Sequence, residues 1–422
     1  MMKETIMDDE DLWLNHSGIT RQQAIIELKE SLLKQHGAQK IKQHLIDASD
    51  IVKRQLDELH SDKHTPILDI DYQDIIQDKI DDEMKKLVHK RGVVIVRNVF
   101  NQSQIKSWNE EISSYIDDND YLGKAEAKKG LDQYFSNLGQ SQPQIYSLYW
   151  SKPQIAMRQS EELAKVRQFL NHLWFNYDGV FDPNQECSYA DRIRRRAPGD
   201  ASLGLSPHMD GGTIERWLNA GYRSLYASVF AGNFADYHPF DASQRTKTEE
   251  VQSPAICRMF RTYQGWTALS SQGPNDGTLT FVPITNAIIY ILWRALQDDV
   301  AKDDLWQAMP GRALTISKDF HHLLLQGLMS VPKVDAGDSV WWHPDIIHGV
   351  EQDHLGCGYS NVTYIGAAPH CPKNQHFLQL QKQAFLDGLS SPDFAPEHYE
   401  IDFKNRATMD DLSPLGKIQM GF

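Results

Sequence analysis

The sequence lacks an apolar run long enough to cross a bilayer, which requires about 20 residues. Its longest apolar window, residues 287–296, is interrupted by Arg294. The first residues, MMKETIMDDEDLWLNH, are acidic and lack the basic and then apolar order of a signal peptide. We therefore expect a cytoplasmic protein with no membrane partner.

Cysteine is scarce, with four residues in the whole chain and no C-x-x-C pair among them. They are Cys187, Cys257, Cys357 and Cys371. This spacing excludes a disulfide scaffold and a zinc finger, and it is typical of reduced thiols in the cytosol.

Positive charge is in deficit, because 43 Lys and Arg face 57 Asp and Glu, which gives a net charge of −14. A chain adapted as a whole to bind nucleic acid has the opposite balance, so we expect no nucleic-acid partner. The 10 Trp, 16 Tyr and 16 Phe exclude a disordered chain.

The first ninety residues have helical periodicity. Apolar residues recur about every 3.6 positions in residues 20–37, 41–59 and 80–89. No catalytic motif lies there, and no Gly/Ser/Pro-rich linker follows. We predict that the region 1–90 packs on the outside of the remaining chain and forms no independent domain.

The region 91–422 has the pattern of a β-rich domain. Residues 93–96, VVIV, favour a buried strand, and short strands separated by Gly, Pro, Asp and Asn turns begin at Tyr189. A helical insertion is expected near 286–310. The predicted fold is a mainly β core, an antiparallel sandwich or barrel, flanked by N-terminal and inserted helices.

The segment SPHMDGG has a spacing typical of a metal site. His208 and Asp210 are two residues apart, so on a strand their side chains project to the same side. Gly211 and Gly212 then let the chain turn away. An imidazole and a carboxylate on one face are two thirds of the triad that binds Fe(II) and leaves other positions open.

A third ligand must come from a distant strand, and His348 in the segment GDSVWWHPDIIHGV is the candidate. The same segment contains a second H-x-D match, His343 with Asp345. We favour the earlier pair because a strand precedes it and two glycines follow it. The proline inside the later match hinders regular strand pairing.

Three blocks in order resemble the Fe(II)/2-oxoglutarate-dependent oxygenases: SPHMDGG, GPNDGTLTFVP and GDSVWWHPDIIHGV. Within that group the chain is most similar to the YbiU-type family, which distantly resembles the phytanoyl-CoA hydroxylases. The resemblance runs from about Gly92 to Pro369. It implies a double-stranded β-helix (a jelly-roll barrel) with His208, Asp210 and His348 as iron ligands. It also implies 2-oxoglutarate, converted to succinate, and O2 as cosubstrates.

One feature of that superfamily is missing. Many members carry an arginine on the last barrel strand, which binds the distal carboxylate of 2-oxoglutarate. Here Ser360 and Asn361 stand in that stretch, and no Lys or Arg lies between His348 and Lys373. Another strand must then supply the cation, or the cosubstrate differs. The candidates are Arg261 first, then Arg196 and Arg223, with Thr363 as an added hydroxyl donor.

Arg192, Arg194 and Arg196 recur with a period of two and can share one face of a strand. Two interpretations stay open. The arginines form a cationic wall for an acidic substrate or cosubstrate, or they form an outward face paired with acids of the N-terminal helices.

Three functions fit these patterns. The first is an oxygenase that hydroxylates a C–H bond of a small molecule. The second is a cupin-like metal-dependent enzyme without oxygen chemistry, which the missing late arginine favours. The third is a non-catalytic barrel that binds a small molecule. Formation of succinate from 2-oxoglutarate distinguishes the first from the other two.

Overall fold

The computed structural model describes residues 19–61, 64–128, 143–204, 206–251, 253 and 256–422. The acidic start of the chain, and with it the first part of the predicted region 1–90, lies outside the described residues. None of the helices in these ranges combines the length and the apolarity needed to span a bilayer.

The strands of the described residues form two large sheets and one small one. In chain order β1 to β14 are Leu68–Asp71, Val93–Arg97, Ile145–Tyr146, Asp182–Glu186, Ile193–Arg196, His208–Met209, Tyr263–Ala268, Leu279–Val282, Leu314–Thr315, Met329–Ser330, Ser339–Trp342, Ile347–Val350, Ser360–Ala367 and Pro369–His370. One sheet has the order β1-β2-β11-β7-β13-β5-β3, the second has the order β10-β8-β12-β6-β9, and β14 pairs with β4. Only β1 and β2 pair in parallel; the other described pairs are antiparallel.

Helices surround these sheets. In the described ranges α1 to α15 are Arg21–His36, Ala38–Ser61, Tyr72–Ile76, Asp82–Arg91, Gln102–Asp118, Tyr121–Ala127, Lys152–Arg158, Glu161–His172, Glu215–Leu218, Ala220–Leu225, Ala227–Phe230, Ala287–Arg294, Lys318–Leu325, Pro372–Asp387 and Pro414–Gln419. Short 3-10 helices lie at Phe234–Asp236, Arg245–Lys247, Tyr399–Asp402 and Met409–Asp411.

The two large sheets pack against each other through one apolar cluster. Ile95 of β2, Trp266 of β7 and Val340 of β11 contact it from the seven-stranded sheet. Phe281 of β8 contributes from the five-stranded sheet. Burying each such side chain stabilises the fold by about 1.5–3 kcal/mol, so the sheets hold a fixed relative position.

The N-terminal helices pack on the inserted helix α12. Thr20 caps α1 by accepting a hydrogen bond from the amide of Gln23, and Gly37 ends that helix with φ +79°. On α2 the buried Val52 and Leu56 belong to the same apolar cluster as Ile288 of α12. The predicted helices at 20–37, 41–59 and 80–89 correspond to α1, α2 and α4.

Three sequence expectations need correction. The region 1–90 also supplies strand β1, which pairs with β2. The insertion expected near 286–310 is helical only over Ala287–Arg294. Helix exceeds strand, 42% against 17%, so the expected mainly β composition is wrong. Most strands are short, while helices such as α9 to α11 are too short to show a periodic pattern. The domain boundary near residue 90 stays a prediction.

The packing of α2 predicts that the N-terminal helices unfold together with the sheets. Leu56 is 4% exposed and Ile46, on the same helix, is 52% exposed. We expect Leu56→Ala to lower the free energy of unfolding by about 2–5 kcal/mol, because it opens a cavity in the shared core. Ile46→Ala is the control, with an expected change within about 0.5 kcal/mol. Chemical denaturation followed by Trp fluorescence measures both changes.

A single cooperative transition that moves with Leu56→Ala would agree with one folding unit. A separate early transition, with the main one unmoved, would mean that the N-terminal region is an independent domain.

Candidate metal centre

Three side chains converge where β6 and β12 pair. His208 of β6 lies directly opposite His348 of β12, and their ring centroids are 4.5 Å apart. Asp210 follows β6, and its carboxylate oxygens lie 3.6 Å from the Nε2 atom of each imidazole. The three potential ligand atoms lie within 4.8 Å of one another, close enough to hold a metal ion. The sequence-predicted triad is therefore brought together in space.

The hydrogen bonds of the two imidazoles fix their tautomers. Nδ1 of His208 lies 2.9 Å from the carbonyl oxygen of Ser206, and Nδ1 of His348 lies 3.1 Å from that of Ile346. A carbonyl oxygen only accepts, so each Nδ1 carries the proton and donates it. In the neutral ring, each Nε2 then has a lone pair on the side of Asp210. Metal-binding histidines typically have this arrangement.

Asp210 is the anionic member of the group. Burial raises its pKa, but the imidazoles of His348 and His208 and the guanidinium of Arg261 lower it more, so the pKa lies well below its usual range. Its Oδ2 accepts a hydrogen bond of 3.0 Å from Nε2 of Gln264 on β7. Two imidazole nitrogens and one oriented carboxylate suit Fe(II) and similar divalent ions.

The turn after β6 aims this carboxylate. Gly211 and Gly212 have φ of +89° and +92°, a conformation that favours glycine. Arg216 binds the same turn: its Nη2 donates to the carbonyl of Asp210 at 2.6 Å and its Nε to that of Gly212 at 3.0 Å. The backbone beside the candidate ligand is thus held by a buried guanidinium.

The second H-x-D match has a structural role. Asp345 is 1% exposed and accepts hydrogen bonds from Nη1 of Arg216 at 2.9 Å and Nη2 of Arg245 at 2.7 Å. The hydroxyls of Tyr226 and Tyr237 donate to it at 3.1 and 3.3 Å. Both carboxylate oxygens are therefore occupied by donors from the protein.

His343 is likewise fully engaged. Its Nε2 lies 2.9 Å from the carbonyl of Pro239, and its Nδ1 accepts from the amide of Asp345 at 3.1 Å. Burial, with the nearby Arg245, lowers the pKa of His343 to about 3. Neither ring nitrogen has a lone pair to offer, which agrees with the preference for the earlier pair.

A pocket opens beside the three candidate ligands. Its wall includes Arg194 of β5, Gln264 of β7, Trp342 of β11 and Tyr364 of β13. The wall also includes Arg261, which precedes β7. Gln264 has no sequence signal for a place in the site, because a lone glutamine on a strand belongs to no motif.

Arg261, the first candidate for the missing cation, points into this pocket. Its guanidinium carbon lies 5.1 Å from the ring centroid of Tyr189. Within the described part of the chain its guanidinium has no hydrogen bond or ion pair with the protein. Gly366 of β13 leaves room for the aliphatic part of the Arg261 side chain, because a Cβ atom at position 366 would lie 3.0 Å from its Cδ.

Arg196 and Arg223 lie outside the pocket wall. Arg196 donates four hydrogen bonds to backbone carbonyls, those of Gly277, Glu351, Asp200 and Gln352. Arg223 of α10 lies with its guanidinium carbon 3.8 Å from the ring centroid of Phe230. Neither arginine is placed to bind a ligand next to His208.

Thr363 also lies away from the pocket. It alternates on β13 with Tyr364, which lines the pocket, so its side chain projects to the opposite face of the sheet. Asn361 shares the face of Thr363 and donates to Asn109 of α5 at 3.2 Å. The stretch that carries an arginine in many oxygenases therefore has polar side chains directed at a helix.

This chain is similar to one group of known proteins over most of its length. A family described as Gig2-like matches residues 20–422. YbiU of Escherichia coli K12 is 41% identical over 409 residues, which cover 94% of this chain and 96% of YbiU. A crystal structure from Salmonella typhimurium LT2, provisionally named an oxidoreductase, has 40% identity and a TM-score of 0.88, covering 95% of this chain and 97% of that one. GlcNAc Inducible Gene 2 of Candida albicans has 26% identity and a TM-score of 0.78, covering 94% and 88%.

The geometry predicts that His208→Ala and Asp210→Ala each weaken metal binding by more than about 100-fold, since losing even an outer partner of a ligand typically costs 10–100-fold. Co(II) absorption titrations measure the affinity, with Fe(II) content as a second readout. His322→Ala is the control, because His322 is exposed and lies outside the site.

Both variants should keep a cooperative unfolding transition, since the substituted side chains line a pocket. Full metal occupancy in His208→Ala would contradict the assignment.

Proposed function

This chain belongs to the Gig2-like family, and from that premise we propose that it is a non-haem Fe(II)/2-oxoglutarate-dependent oxygenase that hydroxylates a small molecule. One observation carries the proposal. His208 and His348 turn their Nε2 atoms toward the carboxylate of Asp210 at the edge of a pocket, and the three groups lie close enough to share one metal ion. The distant resemblance to phytanoyl-CoA hydroxylases stays a prediction.

The order of the strands supports a double-stranded β-helix. From β5 to β8 the chain alternates between the two sheets. Strands β9 and β10 then both lie in the five-stranded sheet, and from β10 to β13 the chain alternates again. The spatial orders β11-β7-β13-β5 and β10-β8-β12-β6 follow from this winding. We propose that these eight strands form the jelly-roll barrel implied by the sequence resemblance.

In this proposal His208, Asp210 and His348 would hold Fe(II) at the edge of the pocket. When bound, the iron couples the oxidation of 2-oxoglutarate by O2, to succinate and CO2, to insertion of the second oxygen atom into a C–H bond. Gln264 orients the carboxylate of Asp210 through its hydrogen bond. The side chain of Trp342 helps to exclude water from the pocket.

Arg261 is the proposed partner of the distal carboxylate of 2-oxoglutarate. A carboxylate inside a pocket needs a cation, because an unpaired buried charge is strongly disfavoured. Arg261 offers a guanidinium on the pocket wall that no described residue occupies. It therefore can replace the late arginine that β13 lacks, and the proposal needs neither Arg196 nor Arg223 nor Thr363.

The remaining parts of the proposal follow from the sequence. The acidic charge balance supports a small-molecule substrate rather than nucleic acid. The four scattered cysteines support a cytoplasmic location. The missing late arginine favours a second candidate, a metal-dependent enzyme on the same fold without oxygen chemistry. A non-catalytic binding barrel is the third.

An aerobic assay of succinate formation tests the proposal. We expect the Fe(II)-loaded protein to form succinate from 2-oxoglutarate slowly even without its prime substrate, and Asp210→Ala to form none. Nuclear magnetic resonance of the reaction mixture measures both compounds. Turnover of another substrate under strict anaerobiosis would favour the second candidate, and ligand binding without turnover would favour the third.

The role of Arg261 predicts a selective defect. A bidentate charge-assisted hydrogen bond contributes about 1.5–3 kcal/mol, so Arg261→Ala should weaken 2-oxoglutarate binding by about 10- to 150-fold with metal affinity unchanged. Arg261→Lys should recover only part of the affinity, since an ammonium cannot reproduce the guanidinium fork. Anaerobic titration of the Fe(II) form, followed by its metal-to-ligand absorption, measures the dissociation constant.

Arg223→Ala is the matched control, because Arg223 lies outside the pocket. If Arg261→Ala binds 2-oxoglutarate as the wild type does, another residue binds the distal carboxylate. If the wild type binds no 2-oxoglutarate, the proposal that 2-oxoglutarate is the cosubstrate is wrong.

A further inference from the structure

The alternating arginines of β5 face the space between the sheets. Arg192 and Arg194 line the pocket beside the candidate metal site, and Arg194 is only 3% exposed. The guanidinium carbon of Arg192 lies 4.1 Å from the ring centroid of Phe394, and its Nε lies 3.6 Å from Asp191. Of the two interpretations of this pattern, the structure therefore favours the inward cationic wall.

Arg194 differs from Arg196, its neighbour on the same face. The four carbonyl hydrogen bonds of Arg196 satisfy its terminal nitrogens, as expected of a structural arginine. Arg194 makes one hydrogen bond, from Nη2 to the carbonyl of Gly277 at 2.5 Å. Among the described residues no carboxylate lies within ion-pair distance of it. Burial lowers the pKa of Arg194, a cost that an anion in contact would remove.

Arg194 and Arg261 occupy different parts of the wall. Asp210 is among the charges that act on Arg261, which also stacks on Tyr189. The charges acting on Arg194 are instead those of Tyr364 and Glu351, and its hydrogen bond goes to the chain just before β8. The two guanidinium groups therefore have different neighbours on the wall.

The charges of the other groups at the site balance one another without Arg194. A divalent ion and Arg261 together balance Asp210 and the two carboxylates of 2-oxoglutarate. Arg194 then has no carboxylate of the described residues within ion-pair distance, and a buried charge without a close partner is costly. A second anion in the pocket would supply that partner.

We infer that the pocket binds two anions at once: 2-oxoglutarate and a prime substrate that itself carries a carboxylate or a phosphate group, held by Arg194. The identity of the first anion rests on the proposed function; the need for the second rests on Arg194. The planar guanidinium suits either oxyanion, and the hydroxyl of Tyr364 lies on the same wall.

Calorimetric titration of the Co(II)-loaded protein, saturated with 2-oxoglutarate, tests this inference. The probes are inorganic phosphate and acetate, and the tighter one identifies the anionic group of the substrate. We expect one equivalent of the tighter probe to bind without displacing 2-oxoglutarate. Arg194→Met, which keeps an apolar stem, should weaken it by about 10- to 150-fold with 2-oxoglutarate affinity unchanged.

Two further variants keep the result interpretable. Arg195→Met is the matched control, because Arg195 is the adjacent arginine on the opposite face of β5 and should leave probe affinity unchanged. Arg194→Lys keeps a charge and should retain part of the affinity. Unchanged binding of 2-oxoglutarate by Arg194→Met serves as the check that the pocket is folded.

Competition between both probes and 2-oxoglutarate for one site, or unchanged probe affinity in Arg194→Met, would overturn the inference. If Arg194→Met weakens 2-oxoglutarate binding and Arg261→Ala weakens probe binding, the assignment of the second anion to Arg194 is overturned. If the wild type binds no 2-oxoglutarate, the proposed function fails, while phosphate titration without it still tests Arg194.

Discussion

The buried carboxylate of Asp345, held between Arg216 and Arg245, is the interaction on which the geometry of the site depends. Asp345 lies in the short connection that leads into β12 and so to His348. Arg216 continues from it to the backbone of the turn at Asp210. One chain of charge-assisted hydrogen bonds thus joins the two segments that supply the candidate ligands. Such a network is stable only when every member is paired, which is the case for both oxygens of Asp345.

The same segment explains why the sequence contains two H-x-D matches with different roles. In SPHMDGG, the imidazole points its Nε2 toward the carboxylate, and the carboxylate keeps an oxygen accessible to the pocket. In the later match, the ring of His343 lies against Trp174 and both of its nitrogens are bonded. The motif alone does not distinguish a ligand pair from a pair that ties loops together. The proline between His343 and Asp345, which disfavours a regular strand, was the useful signal.

Local sequence patterns predicted the elements whose structure depends on one segment of the chain alone. Strand β2, the strand with His348, and helices α1, α2 and α4 follow from apolar residues, their period and turn residues. The spacing of two residues also predicted that the side chains of His208 and Asp210 project to the same side. The roles of Gln264, Arg194 and Arg216 depend on which strands are neighbours, and no local pattern encodes that. Arg196 and Arg194 follow the same period of two, and both donate to the carbonyl of Gly277. Only Arg196 also meets the carbonyls of Asp200, Glu351 and Gln352, which makes it structural, while Arg194 faces the pocket.

Strand β6 spans only His208–Met209, and its pairing with β12 is limited to the one opposed pair of histidines. An ion shared by the side chains at this junction would therefore act as a cross-link between two strands that the backbone joins weakly. Because an unfolded chain does not present the three groups together, binding energy becomes folding energy, about 2.7 kcal/mol at a free ion concentration 100 times the dissociation constant. The supply of metal in the cell would then govern how long the protein survives proteolysis, as well as whether it is active.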